Sequence, residues 1–337
     1  MNRDLLRLKA RFLLAMGPAL AMGPGLIACH SAGPDASANP PPTATASIPA
    51  PTASAGTAPT DTTGATVATG ATTTPSNDAG TAVMIQKPPP GMHAVTLPDG
   101  GVGFARMPFL GRPLRVEDEP RVAPSATRAD WITPLELTIA ALSPEERALH
   151  AEMWKRDAAS EHASIASFSR FSLQLLALGA PADLIEAAHD AALDEARHAR
   201  DAYALASAYA GEAVGPGRLD VRGALEHIAD VTLAKLAVET FTDGCIGETV
   251  AAWDAREKTA ACNDATLREI FTRVADDEER HAALAWQAVA WAVRTGGDEV
   301  RHALKAAVDH ASASAAMAQN TLFSSVIAPC AEAILET

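Results

Sequence analysis

One pentapeptide occurs twice in this chain, and its repetition constrains the fold more than any other feature. Asp194-Glu195-Ala196-Arg197-His198 returns as Asp277-Glu278-Glu279-Arg280-His281. In each copy the Glu and the His lie three residues apart, so on an α-helix they share one face, about one turn from each other. A carboxylate and an imidazole placed in this way can bind one metal ion together. The repeat therefore predicts two helices that face a common metal site.

Apolar periodicity places both copies inside long helices and predicts further helices around them. Ser143, Pro144 and Glu146 form a capping box with proline at the first helical position, which marks a helix start. Gly296 and Gly297 predict the end of the helix that carries the second pentapeptide. The expected helices span 144–178, about 182–210, from near 223 to about 260, from 263 or 264 to 294, and a fifth stretch through about 315.

Glu161 lies in the apolar stripe of the first helix. Trp154, Glu161, Phe168 and Leu175 recur every seven residues, and seven steps of about 100° return to within about 20° on the helix surface. A carboxylate in an aromatic and aliphatic stripe is costly to bury unless it is paired. We therefore interpret Glu161 as an inward-facing ligand, whereas a shallow, half-exposed stripe would leave it in solvent.

Glu248 is the corresponding candidate on the third helix. Its rival Glu239 lies nine residues earlier, half a turn around the helix, on a polar face that also carries Thr249. Spacing favours Glu248, because the first two helices place their glutamates 34 residues apart and the last two place theirs 30 apart with Glu248 but 39 apart with Glu239. The four helices then form two equivalent hairpins.

The order Glu, Glu-x-x-His, Glu, Glu-x-x-His resembles the ferritin-like di-iron carboxylate superfamily over about 140–296, under half of the chain. The resemblance implies an all-α fold, an up-down four-helix bundle with one long crossover between the second and third helices and a dinuclear centre in its middle. It also implies that Asp194 supports His281, that Asp277 supports His198 and that Glu195 and Glu278 bridge; two solvated acids are the alternative for the aspartates. The implied metal ligands are Glu161, Glu195, His198, Glu248, Glu278 and His281.

Two iron ions are the expected cofactor and manganese is the alternative, because carboxylates and imidazoles together suit both metals. The expected function is an oxidoreductase that reacts with oxygen or peroxide and takes electrons from an external donor. A metal-binding or structural module without redox turnover and an iron oxidation or storage protein are the alternatives. The chain has no Cys-x-x-Cys pair for an electron relay, and its two tyrosines, Tyr203 and Tyr209, lie beyond the ligand level.

The first ninety residues differ in composition from the rest. Residues 1–29 combine a basic start with an apolar stretch ending in Leu26-Ile27-Ala28-Cys29, which resembles the lipobox of bacterial lipoproteins. We expect Cys29 to be lipidated and the protein to be exported and anchored to the cell envelope; an ordinary signal peptide is the alternative. Residues 30–90, rich in Ala, Thr and Pro, predict a disordered tether.

The remaining segments carry fewer signals. The sequence of residues 91–139 predicts an extended strap, with a small hairpin as an option at the turn Asp99-Gly100-Gly101. The sequence of residues 297–337 predicts a C-terminal helix and tail. The net charge of -14 argues against nucleic acid and anionic membrane surfaces as partners. The expected contact with a membrane is the lipid anchor alone. A homodimer is an option. Cys245 is either a small core residue or a redox-active neighbour of the metals.

Overall fold

A computed structural model describes residues 92–96, 102–106, 111–137, 139, 142–226, 228–317 and 320–337. The predicted signal segment, the lipidation site Cys29 and the tether over 30–90 lie outside these residues. The described part of the chain is mainly helical, which confirms the all-α class. Among the described helices, none is both long enough and apolar enough to cross a membrane.

The first two helices pack against each other as a hairpin. Helix α1 spans Pro144–Ala177 and helix α2 spans Ala182–Ala210, within one residue of the predicted bounds. The capping box is present, since the Ser143 side chain accepts from the Glu146 amide and the Glu146 carboxylate accepts from the Ser143 amide. Strong local caps therefore determine both ends of this hairpin.

The third helix begins about ten residues later than the sequence pattern predicts. Gly223 adopts a φ of 80°, the residues after it form turns, and helix α3 starts only at Leu233–Glu239, where the Thr232 side chain accepts from the Lys235 amide. A π-helical segment, Thr240–Ile246, follows and leads into helix α4, Gly247–Ala261. The apolar residues near position 225 recur at helical spacing, but this segment does not form a helix.

The fourth helix is longer than predicted but changes direction at the predicted place. Helix α5 spans Ala265–Met317 and has non-helical angles at Gly297, φ 62° and ψ -139°. A second π-helical segment, Phe323–Ile327, and helix α6, Ala328–Leu335, follow it. The second half of α5 and α6 pack in one apolar cluster with Phe241 and Trp286. The C-terminal segment thus covers the outside of α3 and α5.

Residues 111–137 form the strap, which packs along the helices. Strand β3, Arg115–Val116, pairs with β4, Glu119–Pro120, and β5, Ser125–Ala126, pairs with β6, Gly215–Pro216. Leu114 is fully buried against α1, and Arg170 of α1 donates to the Arg115 carbonyl. Upstream, in a separate unit, strand β1, Met92–Thr96, pairs antiparallel with β2, Val102–Arg106. The predicted turn between them lies outside the described residues.

Candidate metal centre

The structure brings all six predicted ligand residues to one buried place. Their side chains form two groups in which one ligand atom from each residue lies within 4.8 Å of the others. Glu195 and Glu278 belong to both groups. The first group is Glu161, Glu195, His198 and Glu278, and the second is Glu195, Glu248, Glu278 and His281. This buried Glu/His cluster can hold a metal ion.

Both histidines turn the same ring nitrogen toward the cluster. His281 Nδ1 lies 3.2 Å from Glu195 Oε1 and 3.2 Å from Glu278 Oε2. His198 Nδ1 lies 3.4 Å from Glu278 Oε1 and 3.9 Å from Glu195 Oε2. The two imidazole rings are 6.0 Å apart between centroids. Each Nδ1 is therefore positioned to share an ion with carboxylate oxygens.

The other nitrogen of each histidine contacts an aspartate from the opposite copy of the pentapeptide. His198 Nε2 lies 3.0 Å from Asp277 Oδ2, and His281 Nε2 lies 3.2 Å from Asp194 Oδ2. These are the two cross-helix pairs that the resemblance implies, and both aspartates are buried rather than solvated. A hydrogen bond at Nε2 fixes the ring orientation and leaves Nδ1 free to act as a ligand.

The arginines of the pentapeptide hold the aspartates, a role the sequence reasoning did not assign. Arg280 lies 2.9 Å from Asp194 and 2.7 Å from Asp277, so it joins both copies. Arg197 pairs with Asp194. Both arginine side chains are more than half exposed, so they close the outer side of the aspartates. The signal was available, since Arg occupies the same position in each copy.

Burial makes three of the clustered carboxyls hard to ionise without a cation. It raises the pKa of Glu195 and of Glu248 well above the ordinary value, and the charge on Glu278 adds to the effect. The pKa of Glu161 is also raised, by burial and then by Glu278. A bound cation would remove this penalty, because it favours the charged form of each group.

Glu278 and His198 form the ionised pair of the cluster. Burial opposes ionisation of Glu278, but hydrogen bonds from His198 and His281 outweigh it and lower the pKa of this carboxyl. Burial likewise opposes protonation of His198, yet its hydrogen bonds with Asp277 and Glu278 raise its pKa to about 10. Protons on the imidazoles thus compensate part of the negative charge of the metal-free cluster.

Glu248 enters the cluster at the end of a π-helical segment. π-helical turns are rare and occur often at functional sites. Their wider turn changes the helical phase, and as a result Thr249 is buried and donates to the Cys245 carbonyl at 2.6 Å, which corrects its expected place on the polar face. Glu239 stays outside the cluster, where it accepts from Gln174. Of these two glutamates, the structure therefore places Glu248 in the cluster.

Arg112 of the strap is a further residue that sequence reasoning missed. Its guanidinium is buried and lies 4.2 Å from the ring centroid of Phe171 and 5.4 Å from that of Phe168. Burial lowers the pKa of Arg112, while the charges of Asp243 and Glu248 oppose this change. No periodicity in the extended strap distinguishes this arginine from its neighbours, so only the tertiary structure identifies it.

Cys245 is a core residue beside the cluster. It is fully buried in the cluster of apolar side chains that includes Phe241 and Trp286. Burial raises the pKa of its thiol well above the ordinary value, so the thiol stays neutral. Cys262 and Cys330 are buried thiols as well. A neutral buried thiol is a poor nucleophile, which favours the structural reading of Cys245.

Unpartnered buried atoms test whether the cluster suits a metal. Both carboxylate oxygens of Glu248 and Oε2 of Glu195 are among the buried atoms of the described residues that have no hydrogen-bond partner. Buried polar groups without partners are rare because each costs free energy. These three atoms belong to the predicted ligand set, so cations placed among them would satisfy all three. The residues present therefore fit a metal centre.

No family model, curated protein or solved structure matches this chain.

Proposed function

We propose that this chain is a ferritin-like dinuclear metal protein, with iron as the first choice and manganese as the second. The observation that carries the proposal is the sharing of Glu195 and Glu278 between the two ligand groups. Two groups with two carboxylates in common suit a pair of ions bridged by those carboxylates. A single ion would leave part of the buried ligand set unpaired.

The helices that supply these ligands support the proposed bundle. Glu161 comes from α1, the first pentapeptide from α2, Glu248 from α4 and the second pentapeptide from α5. In this reading α3, the π-helical segment and α4 together make the third helix of an up-down four-helix bundle. The connection over 211–232 is then its single long crossover.

Each residue of the predicted ligand set would have its own role in binding the ions. Glu195 and Glu278 would bridge them, while Glu161 and Glu248 would each complete one side. His198 and His281 would bind through Nδ1, because their Nε2 atoms are engaged by the aspartates. Four carboxylates against two divalent cations give a neutral set, which lowers the cost of burying the charges.

Two redox-active metal ions held together would supply two-electron chemistry toward oxygen or peroxide. We therefore propose that the chain is an oxidoreductase that takes electrons from an external donor. The second candidate is a metal-binding module without turnover. The neutral thiol of Cys245 favours this candidate, because it offers no redox partner beside the cluster.

Removal of both bridging carboxylates tests the metal pair. We expect the purified wild-type chain to bind two iron ions anaerobically and the Glu195→Ala/Glu278→Ala variant to lose stoichiometric binding. Glu186→Ala/Glu269→Ala, which removes exposed glutamates from the same two helices, is the matched control and should bind as the wild type does. Two irons per chain in the first variant, measured by metal analysis with helix content checked, would contradict the proposal.

Oxygen added to the anaerobically loaded wild-type chain separates the two candidates. An enzyme oxidises its iron and repeats the cycle when a reductant or peroxide is supplied. Iron that stays inert over repeated additions supports the binding module. We also propose that the chain is exported and lipid-anchored at Cys29; mass spectrometry of the mature N-terminus would test this.

A further inference from the structure

A permanent positive charge lies beside one half of the carboxylate cluster. It belongs to Arg112 of the strap, whose side chain is buried. An arginine side chain stays protonated in proteins. Its Nε is one of the buried atoms of the described residues that have no hydrogen-bond partner. The guanidinium is therefore a fixed charge that salt screens poorly, because it is buried.

Two contacts place Arg112 on the side of Glu248 and His281. The guanidinium carbon lies 5.4 Å from the ring centroid of Phe168, and the His281 ring lies 5.1 Å from the same centroid. Gly111 precedes Arg112 in the strap, and a Cβ atom added there would lie 3.6 Å from Glu248 Oε2. Both contacts lead to residues that belong to the second ligand group alone.

The acids near Arg112 do not fully balance its charge. Burial lowers the pKa of Arg112 most, the charges of Asp243 and Glu248 oppose this change, and the charge of Arg170 adds to it. Asp243 also lies 3.4 Å from Nε of Arg115, so two guanidinium groups share one carboxylate. Among these groups three arginines face two carboxyls, which leaves positive charge in excess on this side.

The side of Glu161 and His198 has different surroundings. A cavity lies against both residues, and its lining includes the ammonium of Lys258, which Asp254 holds at 2.7 Å. A paired cation has a weak field at a distance, because the field of its partner opposes it. Asp157 lines the same cavity, so carboxyls outnumber basic groups in its lining.

We propose that Arg112 makes the two metal positions unequal, so that cations bind more weakly beside Glu248 and His281 than beside Glu161 and His198. A divalent cation repels the guanidinium, and this repulsion is stronger in a protein interior than in water. The first position then fills before the second. The same charge opposes a higher oxidation state at the second position. This inference rests on the proposed dinuclear centre and specifies the order in which its ions bind.

Removal of the charge tests the proposal. We expect manganese(II) to bind the purified, metal-free full chain in two steps, measured by titration calorimetry. Arg112→Met removes the charge and keeps much of the side-chain volume. The second step should tighten at least about fivefold, the effect of one unit charge on a divalent ion about 8 Å away in water, and the first step should change less.

Two further variants separate charge from packing. Arg112→Lys retains the positive charge and should keep the weak second step of the wild type. Arg128→Met removes an exposed arginine from the same strap and should leave both steps unchanged, which controls for net charge. An unchanged or weaker second step in Arg112→Met would overturn the proposal. Arg112→Gln replaces Arg112→Met if the latter loses helix content.

Single-ligand variants assign the binding steps to positions. Glu161 belongs only to the first ligand group and Glu248 only to the second. Each of Glu161→Ala and Glu248→Ala should bind one manganese ion, and binding should be weaker in Glu161→Ala, which retains the position near Arg112. Adding Arg112→Met should tighten binding at least about fivefold in Glu161→Ala and less in Glu248→Ala.

The failures of the two proposals are distinguishable. The reverse ranking of Glu161→Ala and Glu248→Ala would overturn the proposed order while leaving the dinuclear centre in place. A wild-type chain that binds fewer than two manganese ions would instead contradict the proposed function.

Discussion

Each histidine of the cluster is fixed at both of its ring nitrogens. For His198, Nε2 contacts Asp277 and Nδ1 faces the carboxylates, while Arg280 holds Asp277 from outside. An aspartate at Nε2 selects the tautomer that presents Nδ1 and increases its basicity. The aspartate therefore acts through the histidine and is a positioning residue of the proposed site.

Asp277→Asn should weaken metal binding while leaving the ligand set complete. Loss of the negative charge makes His198 a weaker donor, and changes of this kind cost about 10–100-fold in metal affinity. Titration calorimetry with manganese(II) measures the effect. Asp276→Asn is the control, because Asp276 pairs with Arg256 and is exposed. Equal affinities in both variants would show that Asp277 does not position the ligand.

At this scale the sequence was informative about the clustered glutamates and less so about the arginines, whose equivalent positions in the repeat do not specify their partners. Glu161 could be predicted to face the cluster from helical periodicity and Glu248 from the spacing of the two hairpins. The link from Arg280 to both aspartates depends on the packing of α2 against α5, and the burial of Arg112 depends on the path of an extended segment. Neither is encoded in a local period.

The strap carries no residue of the cluster but passes beside Glu248 at Gly111. Gly247 permits it, because the Gly111 carbonyl oxygen occupies the space where a Cβ would lie. Glycine is otherwise unfavourable in a helix by about 1 kcal/mol relative to alanine. Glycine at position 247 is therefore explained by its contact with the strap and not by its helix propensity.

Gly247→Ala should displace the strap. Overpacking against a backbone atom costs about 1–3 kcal/mol, which exceeds the gain of about 1 kcal/mol in helix propensity. We expect faster amide hydrogen exchange over 111–116 and a lower free energy of unfolding. Thr242→Ala, on the exposed side of the preceding π-helical segment, should change neither. Greater stability in Gly247→Ala would mean that the strap contact is weak.

The predicted bounds of α1 and α2 agree with the structure, whereas the predicted start of the third helix is wrong although Thr232 caps the true start. Ser143 and Glu146 determine the start of α1, and Gly211 with a φ of 74° ends α2. The third helix was extended back to Gly223 because the apolar residues after it mimic a helical period, although Leu225 proves to be 61% exposed. Thr232 followed by Lys235 was the cap signal for the true start.

For the molecule as a whole, protons and metal ions compete for one buried cluster. Burial raises the pKa of Glu195 and Glu248, and hydrogen bonding raises the pKa of His198 to about 10. In the metal-free state His198 therefore keeps its proton at neutral pH, and the raised pKa values favour the protonated forms of Glu195 and Glu248. Metal ligands must be deprotonated, so binding releases those protons.

Metal affinity should therefore increase with pH. Below the raised pKa values each ion must displace protons, and this cost falls as pH rises toward them. Calorimetry with manganese(II) at neutral pH, in buffers of different ionisation enthalpy, should show release of more than one proton per chain. A binding heat independent of the buffer, or an affinity that decreases from pH 6 to 8, would contradict this expectation.

The burial of Arg112 also has a consequence for the order in which the chain assembles. Arg112 precedes α1 in the chain, yet its charge acts on Asp243 and Glu248, which belong to the second helical hairpin. Contacts between such distant residues form late in folding, because a long loop must close first. We expect both helical hairpins to assemble while the Glu248 side is still open. Metal ions would then reach Glu248 during folding before the strap packs beside it.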